Sequence, residues 1–345
     1  MRILWIVLLA LLISCNSSPP AQAEGTETPD TSADEPADNT EPEPEPEPEP
    51  VFTSYFSGNR AWDYLVHQVE MGFRVPGSVT HLECRRWLQK ELEKYCDEVE
   101  LQQFTRQLPP DLENVKMWNV IGRIDPEAER RILLVAHWDT RPTADYNPAG
   151  ECDQPIAGAN DGASGVAVLL ELARVFSEVP PPVGIDILLT DGEDYGPGLS
   201  TMFMGAEHFA NQLTINDVSK YNYGILLDMI GDKNLDIHPE YYSEADAGMI
   251  YAVAIQYAEA MGYMCFKAGG GYRIMDDHLA ISERGIRIYD FIDFNYEYWH
   301  TTEDTADKCS ADSLEAVGRV VENMIYLAPE IYGADDQKSR PRYAR

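Results

Sequence analysis

The hydrophobic pattern along the chain alternates between amphipathic helices and short apolar runs. Residues 59–73 and 81–96 have apolar side chains at helical spacing, with Trp62, Leu65 and Val69 in the first segment. Later periodic stretches predict helices over 164–177, 245–261 and 311–327. Short runs rich in β-branched residues predict strands over 118–124, 132–136, 185–189, 224–227 and 286–292.

Apolar strands that alternate with helices are typical of a mostly parallel sheet with helices on both faces. We therefore predict an α/β domain with a three-layer α/β/α architecture around a mostly parallel, mixed sheet. The predicted domain covers residues 51–335, a length that suits one large α/β domain.

The first fifteen residues predict export. Arg2 precedes an apolar run over 3–13, which is too short to span a bilayer and fits the core of a signal peptide. The run ends in Leu12-Ile13-Ser14-Cys15, which resembles the bacterial lipobox, whose cysteine receives diacylglycerol. An ordinary signal peptide that happens to contain a cysteine is the alternative. We expect a protein of the bacterial cell envelope that faces the periplasm or the cell exterior and is held at the membrane by its lipid alone.

Residues 16–50 predict an extended, disordered spacer. They contain no aromatic residue, Lys or Arg, and they end in a Glu-Pro alternation from Glu41 to Pro50. The segment holds eleven acidic residues. The whole chain has a net charge of −33, and when these residues and Arg2 are left out, residues 51–345 still carry about −23. Such an acidic domain is not expected to bind nucleic acid.

Side chains that can perform chemistry follow the predicted strands. Ligands bind beyond the carboxyl ends of the strands in open α/β sheets, so these residues predict a site at that edge. The residues are His137, Asp139, Asp191, Glu193, Asp194 and Asp228. His137 and Asp139 lie on the same face of a strand, although a solvated strand end also explains this pair.

Two further segments add to the candidate site. The small residues of 158–165 surround Asp161 at the start of a predicted helix and allow close backbone packing. Glycines at such a position also fit a phosphate-binding loop, but neither GK[ST] nor GxGxxG follows, which argues against nucleotide binding. The adjacent acids Glu193 and Asp194 point apart, so one can face a metal and the other a substrate, unless they form a simple acidic surface turn. His300 supplies an imidazole, and nitrogen and oxygen ligands without thiolates suit catalytic zinc.

Together, six motifs resemble the zinc aminopeptidase family and, within it, the glutaminyl cyclases. The resemblance covers about residues 55–330 and implies the phosphorylase/hydrolase-like fold of the zinc aminopeptidases. The motifs are HWDTRP (137–142), GANDGASGV (158–166), DGEDYG (191–196), LLDMIGD (226–232), MDDH (275–278) and WHTTEDT (299–305).

The resemblance implies a role for each matching residue. The zinc ligands correspond to Asp161, Asp194 and His300, and the general base corresponds to Glu193. The second metal site of two-zinc peptidases, which in single-zinc cyclases is unoccupied or serves hydrogen bonding, corresponds to His137 and Asp228. Asp139 is expected to belong to this site or to orient its histidine. Asp276 corresponds to the cyclase acid near the base, so Asp228 and Asp276 join Glu193 as candidate catalytic residues. The substrate pocket is expected to contain Trp299, Phe203 and Tyr195.

The resemblance leaves two reactions open. A glutaminyl-peptide cyclotransferase converts the N-terminal Gln of a peptide to pyroglutamate with release of ammonia, and one zinc ion per chain suffices. The acidic pair before His278 and the position of Trp299 favour this reaction. The alternative is a zinc aminopeptidase with two metal ions, and one departure from the cyclase pattern is that residues 202–204 lack the usual tryptophan. A metal-binding protein without catalysis is a third possibility, but every candidate ligand and the base are present.

Overall fold

The computed structural model describes residue 52 and residues 54–109, 113–148, 150 and 153–332. The predicted signal peptide, Cys15 and the acidic spacer lie outside these residues. Within the part of the chain that is described, no helix combines the length and the apolarity needed to cross a bilayer.

A six-stranded sheet lies at the centre of the domain. Its order is β1-β2-β4-β3-β5-β6. The four strands β3 to β6 are parallel to one another, whereas β2 is antiparallel to both β1 and β4. The prediction of a mostly parallel, mixed sheet is confirmed. The strands are β1 (Glu98–Leu108), β2 (Glu113–Ile124), β3 (Arg131–His137), β4 (Gly184–Thr190), β5 (Tyr221–Asp228) and β6 (Ile288–Ile292).

Helices cover both faces of this sheet. All the helices predicted from the sequence are present within four residues at each end. The helices are α1 (Gly58–Met71), α2 (Val79–Leu92), α3 (Ala163–Glu178), α4 (Met204–Gln212), α5 (Ile215–Lys220), α6 (Tyr241–Ala260), α7 (Asp277–Ser282) and α8 (Ala311–Leu327).

The central strand β3 explains why the apolar runs are continuous. Ile132, Leu134 and Ala136 belong to the larger core, which α1, α2, α3, α6 and α8 cover. Leu133 and Val135 belong to a second core on the opposite face, which α4 and α7 cover. Because both faces are buried, every position from Ile132 to Ala136 is apolar, and His137 follows at the polar edge of the sheet.

Four elements were not predicted. The strand β1 has mostly polar or half-exposed side chains, because it is an edge strand that pairs only with β2. The helices α4, α5 and α7 contain nine, six and six residues, too few to display a helical period. Each of these elements lies at the periphery of the domain or beside the site.

Candidate active site

The carboxyl ends of the parallel strands bring the candidate residues together, as the sequence predicts. His137 is the last residue of β3 and Asp228 is the last residue of β5. Glu193 and Asp194 follow β4, and Asp161 lies just before α3. The sheet therefore determines where these side chains begin, and the loops determine how they are oriented.

Asp161, Asp194 and His300 form the first cluster. Each offers a ligand atom, and these atoms all lie within 4.8 Å of one another. The Nε2 atom of His300 is 3.3 Å from Asp194 Oδ1 and 3.7 Å from Asp161 Oδ2. All three side chains are buried, and His300 has a left-handed backbone with φ of +54°, a conformation often found at functional sites.

This first cluster fits a zinc ion. The Oδ2 atoms of Asp161 and Asp194 are buried without a hydrogen-bond partner among the described residues. Buried polar atoms are normally satisfied, and a bound cation would satisfy both of these oxygens. Two carboxylates and one imidazole are also a donor set that zinc accepts in catalytic sites, where a fourth position stays open.

A second cluster shares Asp161 with the first. The ligand atoms of His137, Asp161 and Asp228 again lie within 4.8 Å of one another. The Nε2 atom of His137 is 3.1 Å from Asp161 Oδ1 and 3.2 Å from Asp228 Oδ1. Burial lowers the pKa of His137, but Asp139, Asp161 and Asp228 outweigh this effect and hold the pKa well above its usual value. The geometry suits either a second cation or an imidazole that hydrogen-bonds between two carboxylates.

Glu193 faces this second cluster. Its side chain is buried, and its Oε2 atom is 3.7 Å from Nδ1 of His137. Burial raises the pKa of Glu193 well above its usual value, and the charge of Asp276 adds to this effect while His137 opposes it. Asp276 caps helix α7, and its Oδ2 atom is buried without a hydrogen-bond partner among the described residues. The raised pKa is the direction of shift that a carboxyl group needs in order to both accept and donate a proton during catalysis.

Asp139 holds the loop that carries the base, rather than joining either ligand cluster. Its Oδ1 atom accepts a hydrogen bond from the backbone N–H of Glu193 at 3.1 Å. Its Oδ2 atom accepts one from the N–H of Asp194 at 3.2 Å. Asp139 was predicted either as a member of the second metal site or as a carboxylate beside its histidine; its two oxygens accept from the backbone of Glu193 and Asp194, and its Oδ1 atom also lies 3.7 Å from Nδ1 of His137.

Arg141 and Asp145 surround the first cluster, and the sequence did not single them out. Arg141 Nη1 donates a hydrogen bond to Asp194 Oδ1. Arg141 also donates to Asp145 through Nε at 3.0 Å and Nη2 at 2.8 Å. Asp145 Oδ1 is 3.2 Å from Nδ1 of His300, where a carboxylate commonly orients a metal-binding imidazole. Burial opposes ionisation of Asp145, but His300 and Arg141 hold its pKa well below the usual range.

A third residue missed by sequence reasoning holds the loop of Asp161. The carboxylate of Asp304 accepts hydrogen bonds from the N–H of Asn160 at 2.9 Å and from the N–H of Asp161 at 3.2 Å. Asp304 lies within the motif after His300, but the motif does not show which backbone groups it contacts. Next to Asp161, a Cβ atom on Gly162 would lie 2.4 Å from the carbonyl oxygen of His137, so only glycine fits there.

His81 supports the loop after β4 from behind. Its side chain is fully buried. Its Nε2 atom is 2.9 Å from both carboxylate oxygens of Asp191, and its ring stacks on Trp138 at 4.4 Å. Asp191 is therefore engaged with the scaffold, and the acids that face the site are the two that follow it.

The three predicted pocket residues occupy different places. The ring of Trp299 stacks on His300 at 3.9 Å, directly beside the first cluster. Phe203 donates its N–H to the carbonyl oxygen of Glu193 at 2.9 Å, so its backbone adjoins the base. Tyr195 donates its hydroxyl to the carbonyl oxygen of Pro109 at 3.0 Å and packs in a small cluster with residues of β1 and β2. The structure therefore does not bring the Tyr195 hydroxyl to the clusters.

Two solved structures are similar to this protein in both sequence and fold. A Zn-dependent exopeptidase from Parabacteroides distasonis is 33% identical, with a TM-score of 0.74 over 79% of this chain and 98% of that one. The Bacteroides thetaiotaomicron glutaminyl cyclase bound to N-acetylhistamine is 34% identical, with a TM-score of 0.74 over 80% of this chain and 99% of that one. Both similarities extend over nearly the whole of the solved chains.

A more distant relative is the aminopeptidase YwaD of Bacillus subtilis. It is 26% identical over 61% of this chain, and the match spans only 44% of the length of YwaD. The sequence profile of peptidase family M28 matches residues 119–325, which include both clusters and the base. On this match and on the two solved structures, the chain belongs to peptidase family M28.

Proposed function

We propose that this protein is a zinc-dependent glutaminyl-peptide cyclotransferase, which converts the N-terminal Gln of peptides or proteins to pyroglutamate and releases ammonia. The observation that carries the proposal is the buried carboxyl group of Glu193, which directly precedes Asp194 in the chain and whose Oε2 atom lies 3.7 Å from Nδ1 of His137. Similarity to a solved glutaminyl cyclase supports the same function.

The cyclisation requires one proton to move from the nucleophile to the leaving group. The α-amine of the substrate attacks the carbon of its own side-chain amide, a new C–N bond forms, and the original C–N bond breaks to release ammonia. Glu193 accepts the proton from the amine and returns it to the departing nitrogen. Burial shifts the pKa of Glu193 upward, which favours both tasks, because a protonated carboxyl group is then easier to form and can donate its proton to the departing nitrogen.

The remaining residues orient and polarise the substrate. Zinc held by Asp161, Asp194 and His300 would supply a Lewis acid for the side-chain amide. Because the nucleophile is part of the substrate, no hydroxide has to be generated, and positioning accounts for much of the rate. We therefore expect one zinc ion per chain, with His137 and Asp228 acting through hydrogen bonds.

The second candidate function is that of a zinc aminopeptidase. The cluster of His137, Asp161 and Asp228 favours it, since two adjacent metal sites are common in enzymes that activate water for hydrolysis. The similarity to a Zn-dependent exopeptidase and to an aminopeptidase also supports it. In this case two metal ions per chain are expected.

Mass spectrometry of a Gln-initiated peptide separates the two functions. Incubation with the purified, zinc-loaded protein should give a peptide that is lighter by one ammonia and has a blocked N-terminus. An Ala-initiated peptide of otherwise identical sequence is the control for hydrolysis. Release of free Gln and free Ala, with no lighter peptide, would overturn the cyclase proposal and support the aminopeptidase. Elemental analysis of the same sample gives the number of zinc ions per chain.

A further inference from the structure

An aromatic row leads away from the first cluster. We define this row as Trp299, Phe294, Tyr272 and His238. The ring of Trp299 is 5.0 Å from that of Phe294, which is 5.8 Å from Tyr272, which in turn is 6.0 Å from His238. Because Trp299 stacks on His300, the inner end of the row lies at the candidate catalytic site.

We propose that this row binds the residues that follow the N-terminal one in a peptide substrate. The inference rests on the proposed function, because it takes the inner end of the row as the place where the terminal Gln is processed. It assigns the chemical class of the preferred substrate: peptides whose second to fourth residues carry aromatic or other apolar side chains.

The rings of the row are partly packed and partly accessible to solvent. Tyr272, Phe294 and Trp299 pack against a small core that is separate from the two cores of the sheet. All three side chains are nevertheless only partly buried. Contiguous apolar surface beside a catalytic site is typical of a ligand-binding groove.

The outer rings are held in place before any ligand binds. The hydroxyl of Tyr272 donates a hydrogen bond to Asn295 Oδ1. Both ring nitrogens of His238 have partners: Nδ1 is 2.6 Å from the carbonyl oxygen of Gly269, and Nε2 is 3.0 Å from Asp236 Oδ2. Side chains that are already fixed lose little entropy on binding, which favours affinity.

The spacing of the rings fits an extended peptide. In an extended chain, side chains on one face recur every second residue, at about 6.6 Å. The rings of the row are 5.0 to 6.0 Å apart, so an extended peptide can place a side chain near each of two or three successive rings. Acidic side chains are disfavoured, because residues 51–345 carry a net charge of about −23.

Two peptides of equal length test the row. One is Gln-Phe-Gly-Phe-Gly amide and the other is Gln-Gly-Gly-Gly-Gly amide, and ammonia release gives kcat and KM for each. The wild-type protein should show a lower KM for the Phe peptide. Tyr272→Ala and Phe294→Ala should each raise the KM of the Phe peptide, relative to that of the Gly peptide, about two- to tenfold, the size of one aromatic contact.

Tyr242→Ala is the matched control, because Tyr242 is 44% exposed on α6 and lies outside the row. It should leave the ratio of the two KM values at the wild-type value. The melting temperature of each variant shows that it is folded, and Tyr272→Leu and Phe294→Leu replace the rings with apolar bulk where an alanine variant does not fold.

The result that overturns the inference is an equal KM ratio in the wild-type protein, both row variants and the control. A row that is covered by a lipid surface or by a second copy of the chain would give this result. Failure of the proposed function is seen separately, as absence of ammonia from either peptide with the wild-type protein. Isothermal titration calorimetry with the same two peptides then still tests whether the row binds the Phe peptide more tightly.

Discussion

Replacement of Asp145 by Asn is expected to weaken zinc binding by about 10- to 100-fold, or ~1.4–2.7 kcal/mol, the usual effect of losing a carboxylate behind a metal-binding histidine. The carboxylate lies 3.2 Å from Nδ1 of His300, and the amide of Asn has nearly the same shape without the charge. The substitution therefore removes the electrostatic contribution while it preserves the packing.

A second effect adds to the first. Asp145 also pairs with Arg141, at 2.8 Å and 3.0 Å, and Arg141 in turn donates to Asp194. Without Asp145 the guanidinium charge beside the metal ligands is no longer balanced, and it opposes the binding of a cation. We therefore expect a loss toward the upper end of the range.

Competition of the metal-free protein with a chelator of known zinc affinity measures this loss directly, without reference to activity. Glu178→Gln is the matched control, because Glu178 Oε2 pairs with Arg174 at 2.7 Å outside the clusters. A zinc affinity for Asp145→Asn within twofold of the wild-type value would refute the role assigned to this carboxylate.

Three further predictions concern the base, the metal and the anchor. Glu193→Gln should retain zinc and reduce kcat about 100-fold or more, the usual contribution of a positioned base; near-normal turnover would assign proton transfer to another group. Removal of zinc with a chelator should abolish activity and lower the melting temperature, because a ligand that binds only the folded state stabilises it; an unchanged melting temperature on calorimetry would contradict the bound ion. We propose that Cys15 carries a lipid, so Cys15→Ser should move the protein from the membrane fraction to the soluble fraction without changing its specific activity; a wild-type protein that lacks lipid by mass spectrometry would refute the anchor.

Most helices and strands of the fold could be predicted from the sequence, because each of them depends on a local pattern of apolar residues. The predicted helix 164–177 corresponds to Ala163–Glu178, and the predicted helix 311–327 has the same bounds in the structure. The residues at the strand ends were also predictable, because each follows its own apolar run. A sheet whose strands are buried on both faces leaves a strong signal in the chain.

The supporting residues of the site were not predictable in the same way. Asp304 contacts the backbone of Asn160, 144 positions earlier, and His81 contacts Asp191, 110 positions later. The chain has many acidic residues, and nothing in the local pattern shows that Asp145 rather than its neighbours lies behind His300. The sequence shows that these residues are acidic or carry an imidazole, but only the folded chain shows which residues they contact.

The position of Asp161 in both clusters affects how the two chemistries of this family can diverge. One carboxylate oxygen faces His137 and the other faces His300, so the two clusters share this side chain. A substitution of His137 or Asp228 changes the second cluster only and leaves the ligand atoms of Asp194 and His300 in place. Substitution of Asp161, in contrast, removes a ligand atom from both clusters at once, so such a variant cannot distinguish ring closure from hydrolysis. Variants that separate the two reactions have to be made at residues that belong to only one cluster.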